Sequence, residues 1–217
     1  ELMMGKIFGV ASVAVVQVLI WAVLVCGAGA AVMPHVLPDG AMEAAAALQQ
    51  GGGAATAAAG DFDPETLGAI ALATDVGYLA MLFGYLLLFV VGGYLLYSAM
   101  FAAVGSAVDN AQDAAQLQTP IMIPIILAVI VEMSVLNDPN SPLAFWFSLI
   151  PFTSPVVMMA RIPYGIPTWE IVLSLVLLYA AFVGMVWLSA KIYRVGIFMY
   201  GKKPTLREMF RWIRYKY

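Results

Sequence analysis

Two ionisable side chains interrupt long apolar stretches of this chain, and they are its first candidates for chemistry. Glu132 lies in the run 120–136, and Arg161 lies near the end of the run 143–162. A carboxylate held in lipid is costly and marks a transport or coupling role, unless it reaches the interface. Glu132 sits about one turn from the end of its run, so both readings stand. Arg161 has three readings: binding lipid headgroups, pairing with Glu132, or capping broken helix ends through backbone carbonyls. His35 and Cys26 are the only residues of their types. A lone histidine without neighbouring cysteines or paired carboxylates is a poor metal site, so His35 reads as a loop residue and no metal is expected. Cys26 excludes an internal disulfide and reads as a small buried hydrophobe. The chain has no G-x-x-x-x-G-K-[ST] loop, no G-x-S-x-G elbow and no H-E-x-x-H pair. Its own residues therefore offer no ATPase site and no catalytic residue to name.

The elements that must carry Glu132 and Arg161 follow from composition. Of the 217 residues, 63% are hydrophobic and 11% are charged. A soluble domain carries ~25% charged residues, and a water-facing surface this poor in polar groups cannot cover itself. The chain reads as an all-α integral membrane protein. Spans are expected at about 7–32, 76–108, 120–136 and 169–193, each close to the ~20 apolar residues that crossing requires. The stretch 143–166 is different, because it contains Pro151 and Pro155, with Pro163 and Pro167 following. Proline removes a backbone donor and clashes with the preceding turn. These prolines predict a re-entrant helical hairpin that enters and leaves on one side, packed in protein or facing water.

Basic residues orient the spans. Lys191, Arg194, Lys202, Lys203, Arg207, Arg211, Arg214 and Lys216 gather at the end of the chain. The 33–75 loop has no basic residue and carries Asp39, Glu43, Asp61, Asp63, Glu65 and Asp75. The positive-inside rule puts the tail 194–217 in the cytoplasm and the loop outside. With the hairpin on the outer side, alternating spans bring both chain ends to the cytoplasmic face. Within the outer loop, residues 41–50 read as a short helix broken by Gly51-Gly52-Gly53, and the remainder as a loosely packed insert. Residues 61–65 lack the ligand spacing and glycine of a calcium loop.

Two polar segments flank the spans on the inner side. In 105–118, Asp109 or Asn110 is placed to cap a short helix with Asp113 in its first turn; the segment reads equally as a solvated turn or a partner contact. In the tail, Thr205 and Glu208 form a capping box. Leu206, Met209, Phe210, Ile213 and Tyr217 then share one helix face, and Arg207, Arg211 and Arg214 another. This basic amphipathic helix suits the inner headgroup surface or a partner groove.

Four stretches carry a resemblance: LMMGKIFGV (2–10), GGYLLYSAMFAAVGSAVDNAQDAAQLQTPIMIP (92–124), IPFTSPVVMMARIPYGIPTWE (150–170) and YRVGIFMYGKKPTLREMFRWIR (193–214). In this order they resemble a type-2 ABC exporter permease of the sodium-export, Nat-type branch. The resemblance implies the C-terminal two-thirds of a six-span subunit, in keeping with a sequence that starts at Glu1. Two spans and a coupling helix would precede it. The 33–75 loop departs from the family pattern. The resemblance further implies a second permease chain, identical or not, and two cytoplasmic ATPase subunits that bind ATP and magnesium, in a bacterial plasma membrane. This chain would hold no cofactor and would have membrane lipids, but no nucleic acid, among its partners. Asp109, Asp113, Arg207, Arg211 and Arg214 would face the ATPase. The competing reading is a membrane scaffold without a transport path.

Overall fold

The computed structural model describes residues 2–36, 40–49, 64–108 and 111–196. Among them the regular structure is entirely helical. In chain order the helices are α1 (Leu2–Val36), α2 (Ala41–Gln49), α3 (Pro64–Thr74), α4 (Val76–Ala107), α5 (Ala111–Val135), α6 (Pro142–Leu149), α7 (Ser154–Arg161) and α8 (Thr168–Gly196), with a 3-10 turn at Ile162–Tyr164 before α8. Three segments are long and apolar enough to cross a membrane: Val76–Ser106, Gln112–Val135 and Thr168–Ile192. A shorter apolar stretch, Val15–Gly29, lies within α1. The chain divides into two compact units, residues 12–87, and residues 1–11 with 88–217.

In the first unit, part of the 33–75 loop is helical. The short helix expected there is α2, and α3 was not foreseen. They pack through small side chains: Ala41, Ala45 and Ile70 form one buried cluster. Alanines allow two helices a close approach without bulky ridges. Asp75 separates α3 from α4 and caps the latter, its Oδ1 accepting from the Gly77 amide at 2.8 Å and the Tyr78 amide at 3.3 Å. An aspartate just before an apolar run is a helix-start signal. His35 lies in the last turn of α1 rather than in a loop. Cys26 is exposed on α1 rather than buried. Its neighbours Val23, Leu24 and Val25 are exposed as well, as suits a helix that is apolar all round and meets lipid.

In the second unit, α5 carries the expected 120–136 span as far as Val135 but begins earlier, at Ala111, and passes through Pro120 and Pro124. The polar residues preceding the prolines are its first turns, with Asp113 in the opening one. Proline is tolerated inside membrane helices because neighbouring groups satisfy the backbone it frees. The broken stretch is a true hairpin. Ser141 caps α6, accepting from the Ala144 amide at 3.2 Å, and Pro142 occupies the opening turn. Pro151 lies in the connecting turn, and Pro155 in the first turn of α7, where its missing donor costs nothing. Thr153 closes the turn by donating its hydroxyl to the Phe147 carbonyl at 2.5 Å. At eight residues each, the two helices rise only ~12 Å, less than half of a ~30 Å hydrocarbon core. Gly165, at φ +74°, makes the left-handed turn out of the hairpin, a conformation open to glycine.

The hairpin is seated on three helices. Ala144 and Val157 bury against Ala128, Val131 and Val135 of α5. At its tip the Tyr97 hydroxyl of α4 donates to the Phe152 carbonyl at 2.6 Å. A Cβ on Gly93 would meet Pro155 Cγ at 2.9 Å, and one on Gly92 would meet Leu178 Cδ2 at 2.7 Å, so this glycine pair lets α4 approach both the hairpin and α8. Two further bonds join α4 to α8: Tyr179 Oη to the Leu88 carbonyl at 3.1 Å and Ser189 Oγ to the Ala99 carbonyl at 2.7 Å.

The Gly93 contact makes a prediction, because the opposing proline ring is rigid. Gly93→Ala is expected to destabilise the protein by ~1–3 kcal/mol through overpacking, although alanine is the better helix former. Gly84→Ala, where nothing lies within 4 Å, is expected to leave stability equal or raise it by up to ~1 kcal/mol. Unfolding of both variants in detergent, followed by circular dichroism, checks the contrast.

Candidate functional site

The hairpin opens toward the turn that follows α5, and its mouth is closed by Arg161. This residue ends α7, so its side chain leaves the last turn of one short helix toward the start of the other. It is 2% exposed. Its Nη1 donates to Glu170 Oε2 at 3.0 Å and to Ser148 Oγ at 2.6 Å, and its Nε donates to the Pro139 carbonyl at 2.8 Å. One guanidinium thus joins α6, α7, the first turn of α8 and the turn at residues 136–141. Ser148 is used twice, since its own carbonyl accepts from Ser174 Oγ at 2.7 Å. Glu170, in the first turn of α8, stands where the helix dipole favours a negative charge. Among the described residues no buried side-chain nitrogen or oxygen lacks a partner. That matters, because an ion pair taken out of water recovers its desolvation cost only when its remaining polar atoms are satisfied.

Of the three readings open for Arg161, pairing with Glu132 is not the one observed: its carboxylate partner is Glu170. Ala128, Val131 and Val135 are the residues of α5 that face the hairpin. Glu132 stands at the edge of that face, half-buried, with no side-chain hydrogen bond or ion pair among the described residues. Arg161 also reaches the Pro139 carbonyl, which lies in the turn between α5 and α6. Glu170, Ser148 and Ser174 were missed as site residues. Glu170 looks from the sequence like an ordinary charge at a span end, and only the fold of the hairpin brings residue 148 beside residue 170. Asp113 lies in the first turn of α5, half-buried, and is not part of this cluster. Asp109, Arg207, Arg211, Arg214 and the tail 197–217 fall outside the described residues. No group of three or more metal-ligating side chains occurs among those described.

Through Arg161 the cluster holds α6, α7 and the first turn of α8 together. Residues 1–191, which include every member of the cluster, match the family model described as ABC-2 family transporter protein. The chain belongs to the ABC-2 transporter family. No curated protein and no solved structure matches it. As an ABC-2 permease it is a multi-pass membrane subunit of an ABC transporter, distinct from the ATPase, and its family associates with an ABC ATPase partner. In this permease the long helices α4, α5 and α8 carry the hairpin, and the ion pair fixes how the hairpin is held.

Removing either partner of the pair is expected to strand a buried charge. Arg161→Ala and Glu170→Ala should each lower stability by ~3–5 kcal/mol, whereas Glu132→Gln should stay within ~0.5 kcal/mol of wild type. Thermal unfolding of the three purified variants in one detergent gives the ranking.

Proposed function

We propose that this chain is the permease subunit of an ATP-driven exporter of the sodium-export, Nat-type branch. It supplies the translocation path and the coupling surface, while a separate cytoplasmic ATPase binds ATP and magnesium and does the hydrolysis. Two permease chains pair with two ATPase subunits. The observation that carries this reading is the hairpin built on three long apolar helices of an ABC-2 chain. Arg161, at its exit, bonds to the carbonyl of Pro139, at its entrance. A segment that returns to the side it came from, through helices too short to cross, supports a re-entrant element. It follows that α5 and α8 run in opposite directions through the bilayer.

That direction change, joined to the charge asymmetry, supports the orientation. In sequence, the basic residues from Lys191 onward come at and after the end of α8 that is remote from the hairpin, so the positive-inside rule argues for that end in the cytoplasm and the hairpin outside. The start of α5, with Asp113, then lies on the ATPase side. Asp109, Asp113, Arg207, Arg211 and Arg214 are the contact candidates for the ATPase, and Glu132 is the candidate for cargo contact or coupling. ATP binding closes the ATPases, moves the helices and switches the side to which the path opens.

Co-expression with a cytoplasmic ABC ATPase from the same genome is expected to yield a stable complex, with ATP turnover raised by the transported cargo in proteoliposomes. A permease that purifies alone and leaves the ATPase rate unchanged would speak for a non-transporting scaffold. In the same vesicles, Glu132→Gln is expected to lower transport while the complex still assembles.

A further inference from the structure

We infer that α8 and the hairpin mouth define the hydrocarbon thickness this permease fits, with Trp146 and Trp169 at one headgroup layer and Trp187 with Lys191 at the other. The reading is independent of cargo and of which side the hairpin faces. Three tryptophans of this unit stand on the surface, Trp146 at 64%, Trp169 at 57% and Trp187 at 58% exposed. Two of them flank one ring: Phe145 lies 5.5 Å from the Trp146 ring and 6.4 Å from the Trp169 ring. This aromatic cluster sits at the hairpin mouth, where α6 and α8 begin. At the opposite end, Lys191 Nζ stands 4.1 Å over the Trp187 ring. Indole rings favour the level of the headgroups, and a lysine near a helix end extends its ammonium to the phosphates.

Two helices bear on this distance. On α8, Trp169 and Trp187 are separated by ~27 Å of helical rise, and between them Val172, Leu173, Val176, Leu177, Val183 and Val186 are exposed and uncharged. On α5, the apolar run 120–136 rises by a comparable ~24 Å. Packing registers these two segments at both ends. Leu117 and Ile121 share a cluster with Leu188 and Ile192 of α8, one turn around Trp187. Val135 packs on the hairpin, which is bonded to the first turns of α8 through Glu170 and Ser174. A ~27 Å slab matches the thinner of the ordinary bilayers.

The occupant of this surface is therefore lipid, acyl chains between the two aromatic levels and zwitterionic or anionic headgroups at them. The assignment has consequences for the charged groups. Glu170 follows Trp169 directly, so the Arg161–Glu170 pair lies at headgroup depth, enclosed by protein. Glu132, less than one turn from Val135, lies near the same level. The opening turns of α5, with Asp113, project beyond the other headgroup layer.

The test uses the whole chain in phosphatidylcholine vesicles, reduced to one tryptophan at a time by Trp→Phe substitution at the other four positions. Quenchers are attached to the lipid either near the headgroup or near the end of the acyl chain. Fluorescence of Trp146, Trp169 and Trp187 should fall more with the shallow quencher, and that of a single tryptophan introduced by Val176→Trp more with the deep one. Stronger deep quenching of Trp169 or Trp187, or no difference between them and position 176, would overturn the assignment. A second measurement keeps all the native tryptophans. In a Cys26→Ala background, single cysteines placed by Thr168→Cys and Ala190→Cys should react with a charged maleimide, and one placed by Val176→Cys should not. Labelling at 176 as fast as at 168 would equally refute it.

Discussion

A guanidinium withdrawn from water must find acceptors or it will not stay buried, and the needs of Arg161 organise this permease around the hairpin. The hairpin has little else to hold its mouth shut. Its two helices are short, and of their side chains Ala144 and Val157 are buried against α5. Arg161 reaches a carbonyl before α6, a hydroxyl within α6 and a carboxylate on α8, so the entrance and exit are fixed by one side chain. A lysine could not repeat this, because a single ammonium lacks the planar fork that addresses acceptors on several sides. Ser148 completes the arrangement by presenting its hydroxyl to Arg161 and its carbonyl to α8.

The opposite attachment, at the hairpin tip, works by shape. Tyr97 provides one hydrogen bond, but the approach of α4 depends on Gly92 and Gly93 lacking side chains. In lipid, where no hydrophobic force drives helices together, close backbone approach and interhelical hydrogen bonds are the principal means of association. The seats of the hairpin follow that rule: glycine and proline at the tip, alanine and valine along its length, an enclosed charge network at the mouth.

Much of this architecture was legible in the sequence, and what was not has physical causes. The long spans show because uninterrupted apolar length is unambiguous, and the hairpin shows because Pro151 and Pro155 forbid a straight crossing. Pro120 and Pro124, by contrast, stand within α5, which continues through them; a proline states that a bond is absent, not whether the surroundings compensate. Helix α3 went unseen because its short run of small and medium apolar residues lacks a polar face to mark a period. Glu170 was visible as a residue but not as a partner. Its pairing with Arg161 depends on the angle at which the chain leaves the hairpin through Gly165, and no local pattern encodes that. Arg161 stands out in the sequence because an arginine amid apolar residues demands a partner, whichever one the fold supplies.

The prolines of α5 have one more consequence. Each deletes an amide that would have bonded one turn back, so the helix ladder lacks rungs around residues 116–124 and is intact where Val131 and Val135 grip the hairpin. The bending stiffness of α5 is therefore graded along its length. Torque delivered at the Ala111 end is taken up as flexure near the prolines before it can twist the clamped end beneath Arg161.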